Sequence, residues 1–260
     1  MPAPIHFYDI PGKTARTYAW SPNTWKIRFA LNFKGIPYKT FWVEYPEIEA
    51  ACKQIGAPPT DKKPDGSPLY TLPAIYDPNT KAAVADSSAI IRYLEKTYSD
   101  TPILLPPETD ALHAAFEHAF SAVFGPHVGP LMLTATNGNL NPRSEAYFRA
   151  AREAVFGRLE DLAPPGPKRD AHWRGLREAM RTIAGWLEAD GRPKPFFLGE
   201  RIAYADVTVA AWLLWLRILL SEDSPEWREL VMWEGGRWAR LAEVFKAYDA
   251  VDAGEVVGPL

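Results

Sequence analysis

The sequence has a single cysteine, Cys52, in 260 residues. One cysteine cannot form a disulfide within the chain, so stability must come from the core, and a reducing compartment is expected. Long hydrophobic runs are also missing. The most apolar stretch, Val207 to Leu220, has 14 residues and is interrupted by Arg217. That is too short to span a bilayer, so no membrane partner is expected. Charge of one sign is missing too: 29 basic and 32 acidic residues are interspersed, with a net charge of −3. Without a basic patch, nucleic acid is not an expected partner. The first residues, Met-Pro-Ala-Pro-Ile-His, lack a basic stretch followed by an apolar one. No signal peptide is therefore expected, and the chain reads as a soluble, cytoplasmic protein. No internal repeat or low-complexity segment is evident, and no metal is expected.

Apolar residues and tryptophan are plentiful. Hydrophobic residues make up 47% of the chain, enough for one large domain or two small ones. Ten tryptophans point to aromatic-rich packing or to a site for an aromatic ligand.

The stretch Trp20-Ser21-Pro22-Asn23-Thr24-Trp25-Lys26 opens a helix. Ser21 has the chemistry of an N-cap, and Pro22 falls at the first helical position, where no amide hydrogen is needed. Trp25, Ile27, Phe29, Ala30, Leu31 and Phe33 continue at helical spacing, and Gly35 closes the run. A serine hydroxyl at such a start has two uses. It can cap the helix, or it can donate to a bound anion with help from the helix dipole.

Around this helix the chain alternates. Ile5 to Asp9 reads as a strand ended by Pro11-Gly12, and residues 10–20 as a loop. Residues 37–44 read as a second strand, parallel to the first because a helix connects them. A short helix follows Pro46, with Ile48, Ala51, Cys52 and Ile55 on one face. Residues 56–71, broken by Gly56, Pro58, Pro59, Pro64, Gly66 and Pro68, read as a loop. Residues 72–77 and 82–86 form an antiparallel pair around Pro78-Asn79. Pro73 is tolerated there because it lies at a strand start. Ser87 opens a third helix, capped by itself or by Asp86. Residues 99–107 suit a linker. Beyond Glu108 only helices are expected, near 108–125, 142–162, 169–190, 204–221 and 236–249. Domains are expected at 1–100 and 108–260.

This order resembles the glutathione transferases. Ser21-Pro22-Asn23 stands where that family places its activating residue, Leu72-Pro73 matches its cis-proline step, and Asp86-Ser87 its acidic-serine pair. Gly199 with Ala205-Asp206 looks like its helix start in the second domain, although Ala203 replaces the usual hydroxyl cap. Asp206 can still bond back to the amide of residue 203, which is half a capping box. The loops before Ser21 and over 56–71 are longer than in most classes. The start Trp-Ser-Pro-Asn-Thr-Trp-Lys is similar to the fungal FuA class and the related bacterial β-etherases.

The resemblance implies an α+β fold: a thioredoxin-like βαβαββα domain followed by an all-α domain. It implies glutathione as cosubstrate, small aromatic or electrophilic molecules as partners in transfer or ether cleavage, a role in detoxification, and a homodimer. Ser21 and Asn23 would act on the thiol. Leu72 and Pro73 would hold the tripeptide backbone, and Asp86 and Ser87 its γ-glutamyl end. Lys53, Lys62 and Lys63 are candidates for the glycyl carboxylate, with plain surface charge as the alternative. An acceptor pocket would lie between the domains, drawing on Pro22, Tyr45 and the stripe Phe116, Phe120 and Phe124. Such a stripe also suits a core, as does the face of Trp212, Trp215, Leu216 and Leu219. Trp227, Trp233 and Trp238 carry no reading.

The energetics are sufficient. Lowering a thiol pKa of about 8.5 by ~2 units requires ~2.7 kcal/mol of preference for the thiolate. A hydrogen bond to a charged group supplies ~1.5–3 kcal/mol. A helix start adds ~0.3–1, up to ~2 when partly buried. Three functions follow: a glutathione transferase, a carrier (ligandin) of aromatic or polyphenolic molecules with little turnover, or a scaffold with an idle site. A thiol reductase is disfavoured because Ser21 stands where that branch needs cysteine. Cys52 lies on another element, and a buried lone cysteine is usually inert.

Overall fold

The computed structural model describes residues 2–14 and 18–258. It divides into two compact units. One comprises residues 1–105, 140–144 and 247–260, and the other residues 106–139 and 145–246.

The first unit is a five-stranded sheet with helices on both faces. In chain order it contains β1 (Ile5–Asp9), α1 (Pro22–Lys34), β2 (Tyr38–Trp42), α2 (Ile48–Ile55), β3 (Asp61–Lys62), β4 (Pro68–Leu69), β5 (Ala74–Asp77), β6 (Ala82–Ala85) and α3 (Ser87–Thr97). β1 and β2 are parallel, as a helical crossover requires, and β5 and β6 add antiparallel neighbours. Of the loop expected over residues 10–20, residues 15–17 lie outside the described residues. Residues 56–71 are not all loop. They carry the small β3–β4 hairpin, whose turn is closed by the Gly66 amide donating to the Lys63 carbonyl at 2.8 Å.

Side chains alternate across the sheet. Phe7 and Asp9 of β1 face α1, where Arg28 meets the Asp9 carboxylate at 2.8 Å and lies 4.9 Å from the Phe7 ring. His6 and Tyr8 point to the opposite face, toward α2. Arg28 and Asp9 are both fully buried, and the guanidinium also lies over the rings of Trp25, Tyr38 and Trp42.

The expectation that only helices follow Glu108 is corrected at the C-terminus. Glu255–Val256 form β7, parallel to β2 at the sheet edge, giving the order β6-β5-β1-β2-β7. The tail is held by side chains far away in sequence. Asp252 bonds Arg28 at 3.3 Å and the Thr40 hydroxyl, the Trp42 indole donates to the Ala253 carbonyl at 3.0 Å, and Asn32 donates to the carbonyls of Tyr248 and Ala250. Gly254 is required in this tail. Its φ is +64°, and a Cβ would lie 2.4 Å from Trp42 Nε1 and 2.7 Å from the Thr40 carbonyl.

The second unit contains α4 (Asp110–Gly138), most of α5 (Pro142–Phe156), α6 (Pro167–Leu187), α7 (Tyr204–Leu220) and α8 (Pro225–Phe245). α4 does not stop at Gly125-Pro126 but runs through Pro126 and Pro130. Each proline forfeits one backbone bond. The buried face of Phe124, Val128, Leu131 and Met132 offsets that loss. α5 ends earlier than expected, where Gly157 takes a positive φ. α8 begins well before residue 236. Ser224 caps it by accepting the Trp227 amide at 3.1 Å, and Trp233 to Gly236 break it into two helical pieces. Among the described residues no helix is long and apolar enough to cross a membrane.

The weakened cap of α7 is real. Ala203 offers no hydroxyl, yet its amide donates to the Asp206 carboxylate at 2.8 Å, and the Phe197 amide does so at 3.1 Å. Burial pushes the Asp206 carboxyl up to about 7, against the pull of those amides. A group whose pKa is raised on folding contributes stability that is fully present below its unfolded value and lost as pH rises through the folded one. Asp206→Asn is therefore expected to cost more stability at pH 5 than at pH 8. Urea unfolding at the two pH values reads this, and an equal cost at both would contradict it.

Candidate functional site

The register of the sheet determines which loops meet. Tyr8, near the C-terminal end of β1, pairs with Ala74 at the start of β5, and Ala74 pairs with Ala85 at the end of β6. Leu72-Pro73 and Asp86-Ser87 flank those residues. The Asp86 amide donates to the Pro73 carbonyl at 3.3 Å, joining the two motifs directly. α1 runs back from the end of β1 to the start of β2, so its N-terminus lies at this same end of the sheet. α3 begins there too and packs against α1. The three motifs are thus gathered at one end of the first unit.

Ser21 precedes α1 in extended conformation (φ −66°, ψ 128°) and is buried. Its carbonyl accepts the Trp25 amide and the Thr24 hydroxyl, each at 3.0 Å. Its own hydroxyl makes no capping bond. The capping use therefore falls away, and the hydroxyl is available at the positive end of the helix. Asn23 is exposed in the first turn, and Pro22 is buried. Trp20 is buried immediately before the serine, and its indole nitrogen has no partner among the described residues.

Leu72-Pro73 is a cis peptide, and Leu72 is buried. Among the described residues the Leu72 backbone makes no hydrogen bond, which leaves an edge for an extended peptide. Asp86, not Ser87, caps α3. One oxygen, Oδ1, accepts the amides of Ser88 and Ala89 at 2.9 and 3.0 Å. Asp86 is exposed, at φ +78°, and its other oxygen has no partner among the described residues. Ser87 is buried beside it.

Other sequence candidates are placed differently. Lys53 and Lys63 both bind Glu49, at 2.7 and 3.0 Å, while Lys62 is exposed on β3. Burial pushes the Cys52 thiol up to about 11, so it stays protonated and unreactive. Tyr45 is half-buried, and its amide donates to the Ser144 hydroxyl at 2.9 Å. Phe120 and Phe124 are buried within the second unit and packed on Trp212. Phe116 is half-buried against Phe197 and Trp186. The stripe is thus a core feature at two of its three positions. Trp215, Leu216, Trp227, Trp233 and Trp238 are buried as well.

Two protein-family models match the chain: glutathione S-transferase, N-terminal domain, over residues 20–97, and glutathione S-transferase, C-terminal domain, over residues 111–248. The glutathione S-transferase-like protein ustS of Aspergillus flavus is 30% identical over 262 residues, covering 92% of this chain and 88% of that one. Among solved structures, the glutathione S-transferase CsGST63524 of Ceriporiopsis subvermispora, in complex with glutathione, superposes with a TM-score of 0.94 at 53% identity. It covers 97% of this chain and 100% of its own. Glutathione transferase GSTFuA3 from Phanerochaete chrysosporium gives a TM-score of 0.92 at 45% identity, with 97% and 100% covered.

Proposed function

The chain belongs to the glutathione S-transferase family, and from that premise we propose that it is a serine-type glutathione transferase acting on small aromatic electrophiles. The observation that carries this reading is the unspent Ser21 hydroxyl at the start of α1, at the same sheet end as Leu72-Pro73 and Asp86. The FuA likeness seen in the sequence agrees with the similarity to GSTFuA3.

Each residue has a role that its surroundings permit. Ser21 donates to the glutathione sulfur and favours the thiolate, and the exposed amide end of α1 with Asn23 adds to that preference. The thiolate then forms a carbon–sulfur bond to the electrophile, and the leaving group departs with the bonding electrons. Ser21 is a donor throughout and never a nucleophile, so no catalytic base is needed. The free backbone edge of Leu72, beside Pro73, pairs with the tripeptide. The open oxygen of Asp86 takes the γ-glutamyl ammonium, and the start of α3 with Ser87 takes its carboxylate. Pro22, next to Ser21, and Tyr45 are the acceptor-side residues of the first unit.

Calorimetric titration with glutathione tests the binding site. Wild type is expected to bind, and Asp86→Ala to lose at least about tenfold in affinity, since a charge-assisted hydrogen bond is removed. Absence of binding in wild type would sink the transferase reading. The protein would then be a carrier of aromatic molecules, and a glutathione-dependent rate would be absent as well.

A further inference from the structure

Ser21 is tied down from both sides by the first turn of α1. On the side before the serine, the buried Trp25 donates its indole N–H to the Ala19 carbonyl at 2.7 Å. Ala19 also bridges to Pro11, so the chain is pinned where it enters the helix. On the side after it, the Thr24 hydroxyl donates to the Ser21 carbonyl at 3.0 Å. That carbonyl already accepts the Trp25 amide at 3.0 Å. The helix requires only the amide, so the bond from Thr24 is additional.

Thr24 is fully buried, and its hydroxyl has a second acceptor in the Asp9 carboxylate. One proton shared between two acceptors is common at helix ends. Asp9 itself is immobilised by Arg28 at 2.8 Å and by the Ile10 amide at 2.7 Å. The branched Cβ of threonine leaves it few rotamers, so the hydroxyl cannot swing away from either acceptor. The Ser21 carbonyl is thereby anchored to a buried ion pair. Pro22 adds to this, because a residue before proline is confined to extended backbone. With both backbone angles of Ser21 constrained, the direction of its Cα–Cβ bond is set. That direction matters because the hydroxyl makes no capping bond that would hold it in place, and a hydrogen bond weakens steeply when misaligned.

We propose that Thr24 and Trp25 are positioning residues that aim the Ser21 hydroxyl at the glutathione sulfur, Thr24 through the Ser21 carbonyl and Trp25 through the Ala19 carbonyl. Neither touches the reacting atoms. This role rests on the serine-type reading of Ser21.

The test titrates the ultraviolet thiolate absorbance of glutathione bound to the full chain, alongside turnover of a model aryl halide. Thr24→Val keeps the shape and removes the hydroxyl. It should raise the pKa of the bound thiol by about one unit and lower kcat about tenfold, with the KM for glutathione within about twofold. Thr24→Ser, which restores the hydroxyl, should recover most of the loss. Trp25→Phe removes only the indole N–H and should shift the titration in the same direction, with kcat about fivefold lower. Because both residues act through Ser21, adding Thr24→Val to Ser21→Ala should move the titration no further. Thermal melts verify that each variant is folded, and a loss of stability alone does not move the thiol titration. If Ser21→Ala shifts the titration but Thr24→Val and Trp25→Phe do not, or if Thr24→Val adds fully to Ser21→Ala, the positioning role is overturned and the transferase reading stands. If Ser21→Ala leaves the titration unmoved, the serine-type reading falls and the positioning role falls with it.

Discussion

Replacing Ser21 with alanine is expected to lower glutathione-dependent turnover of a model aryl halide by roughly 10- to 100-fold, and to leave the thermal midpoint unchanged. The two halves of this result come from one fact. The Ser21 hydroxyl makes no capping bond to α1. A serine that does cap typically contributes ~1 kcal/mol of stability, which its alanine variant would lose. On the proposed reading alanine removes no cap from α1 but takes one hydrogen bond from the sulfur, leaving only the helix start and Asn23 to favour the thiolate. The hydrogen bond to the thiolate is the larger part of the ~2.7 kcal/mol needed to bring a thiol down by ~2 pKa units. The pH–rate profile should accordingly move to higher pH in the variant, while Ser21→Thr, which keeps the hydroxyl, recovers part of the rate. The opposite pattern, a lower midpoint with turnover intact, would make Ser21 a structural cap.

Arg28→Ala should destabilise the fold by about 3–5 kcal/mol, far more than Ser21→Ala or Asp86→Ala. Asp9 and Arg28 are both fully buried, and their 2.8 Å contact is what makes either charge tolerable. Removing the guanidinium leaves the Asp9 carboxylate without its cation, with the Ile10 amide at 2.7 Å as its remaining backbone donor. The variant also loses the cation–π contacts to Phe7, Trp25, Tyr38 and Trp42 and the anchor for Asp252 in the C-terminal tail. Against a typical domain stability of ~5–15 kcal/mol, such a loss is large. Urea unfolding followed by tryptophan fluorescence reads it. Arg28→Lys should fall between, because an ammonium keeps the charge but not the planar fork. Asp252→Ala should cost far less, since Asp252 is partly exposed and leaves Arg28 its main partner. A cost below about 1 kcal/mol for Arg28→Ala would show that the pair is not essential.

The motifs proposed for glutathione are legible in the sequence because each is local. Ser21-Pro22, Leu72-Pro73 and Asp86-Ser87 are short runs whose residue types prescribe a helix start, a strand start and a cap, whatever lies around them. The alternation of strand and helix over residues 5–98 is likewise a matter of period and turn chemistry. Two helix assignments fail where local rules yield to packing. The helix expected near 108–125 is cut short at Gly125-Pro126, but a long apolar face carries α4 past that point and past Pro130. Residues 225–232 are hidden in front of Gly235-Gly236, although Ser224-Pro225 is the same start signal as Ser21-Pro22.

Read in chain order, these residues prescribe a strand–helix unit followed by helices, with a helix start at Ser21-Pro22, a strand start at Pro73 and a cap at Asp86-Ser87. Packing across the whole fold leaves the Ser21 hydroxyl out of the α1 cap, buries Phe120 and Phe124, and returns the C-terminal tail as a fifth strand on β2. It also buries Arg28 on Asp9. The difference is one of range. Caps, turns and periodicity act within a few residues and are written in the order of the chain. Burial, ion pairing and β-pairing join Asp9 to Arg28, Thr40 to Asp252 and Trp42 to Val257, and those partners are chosen only when the chain has folded.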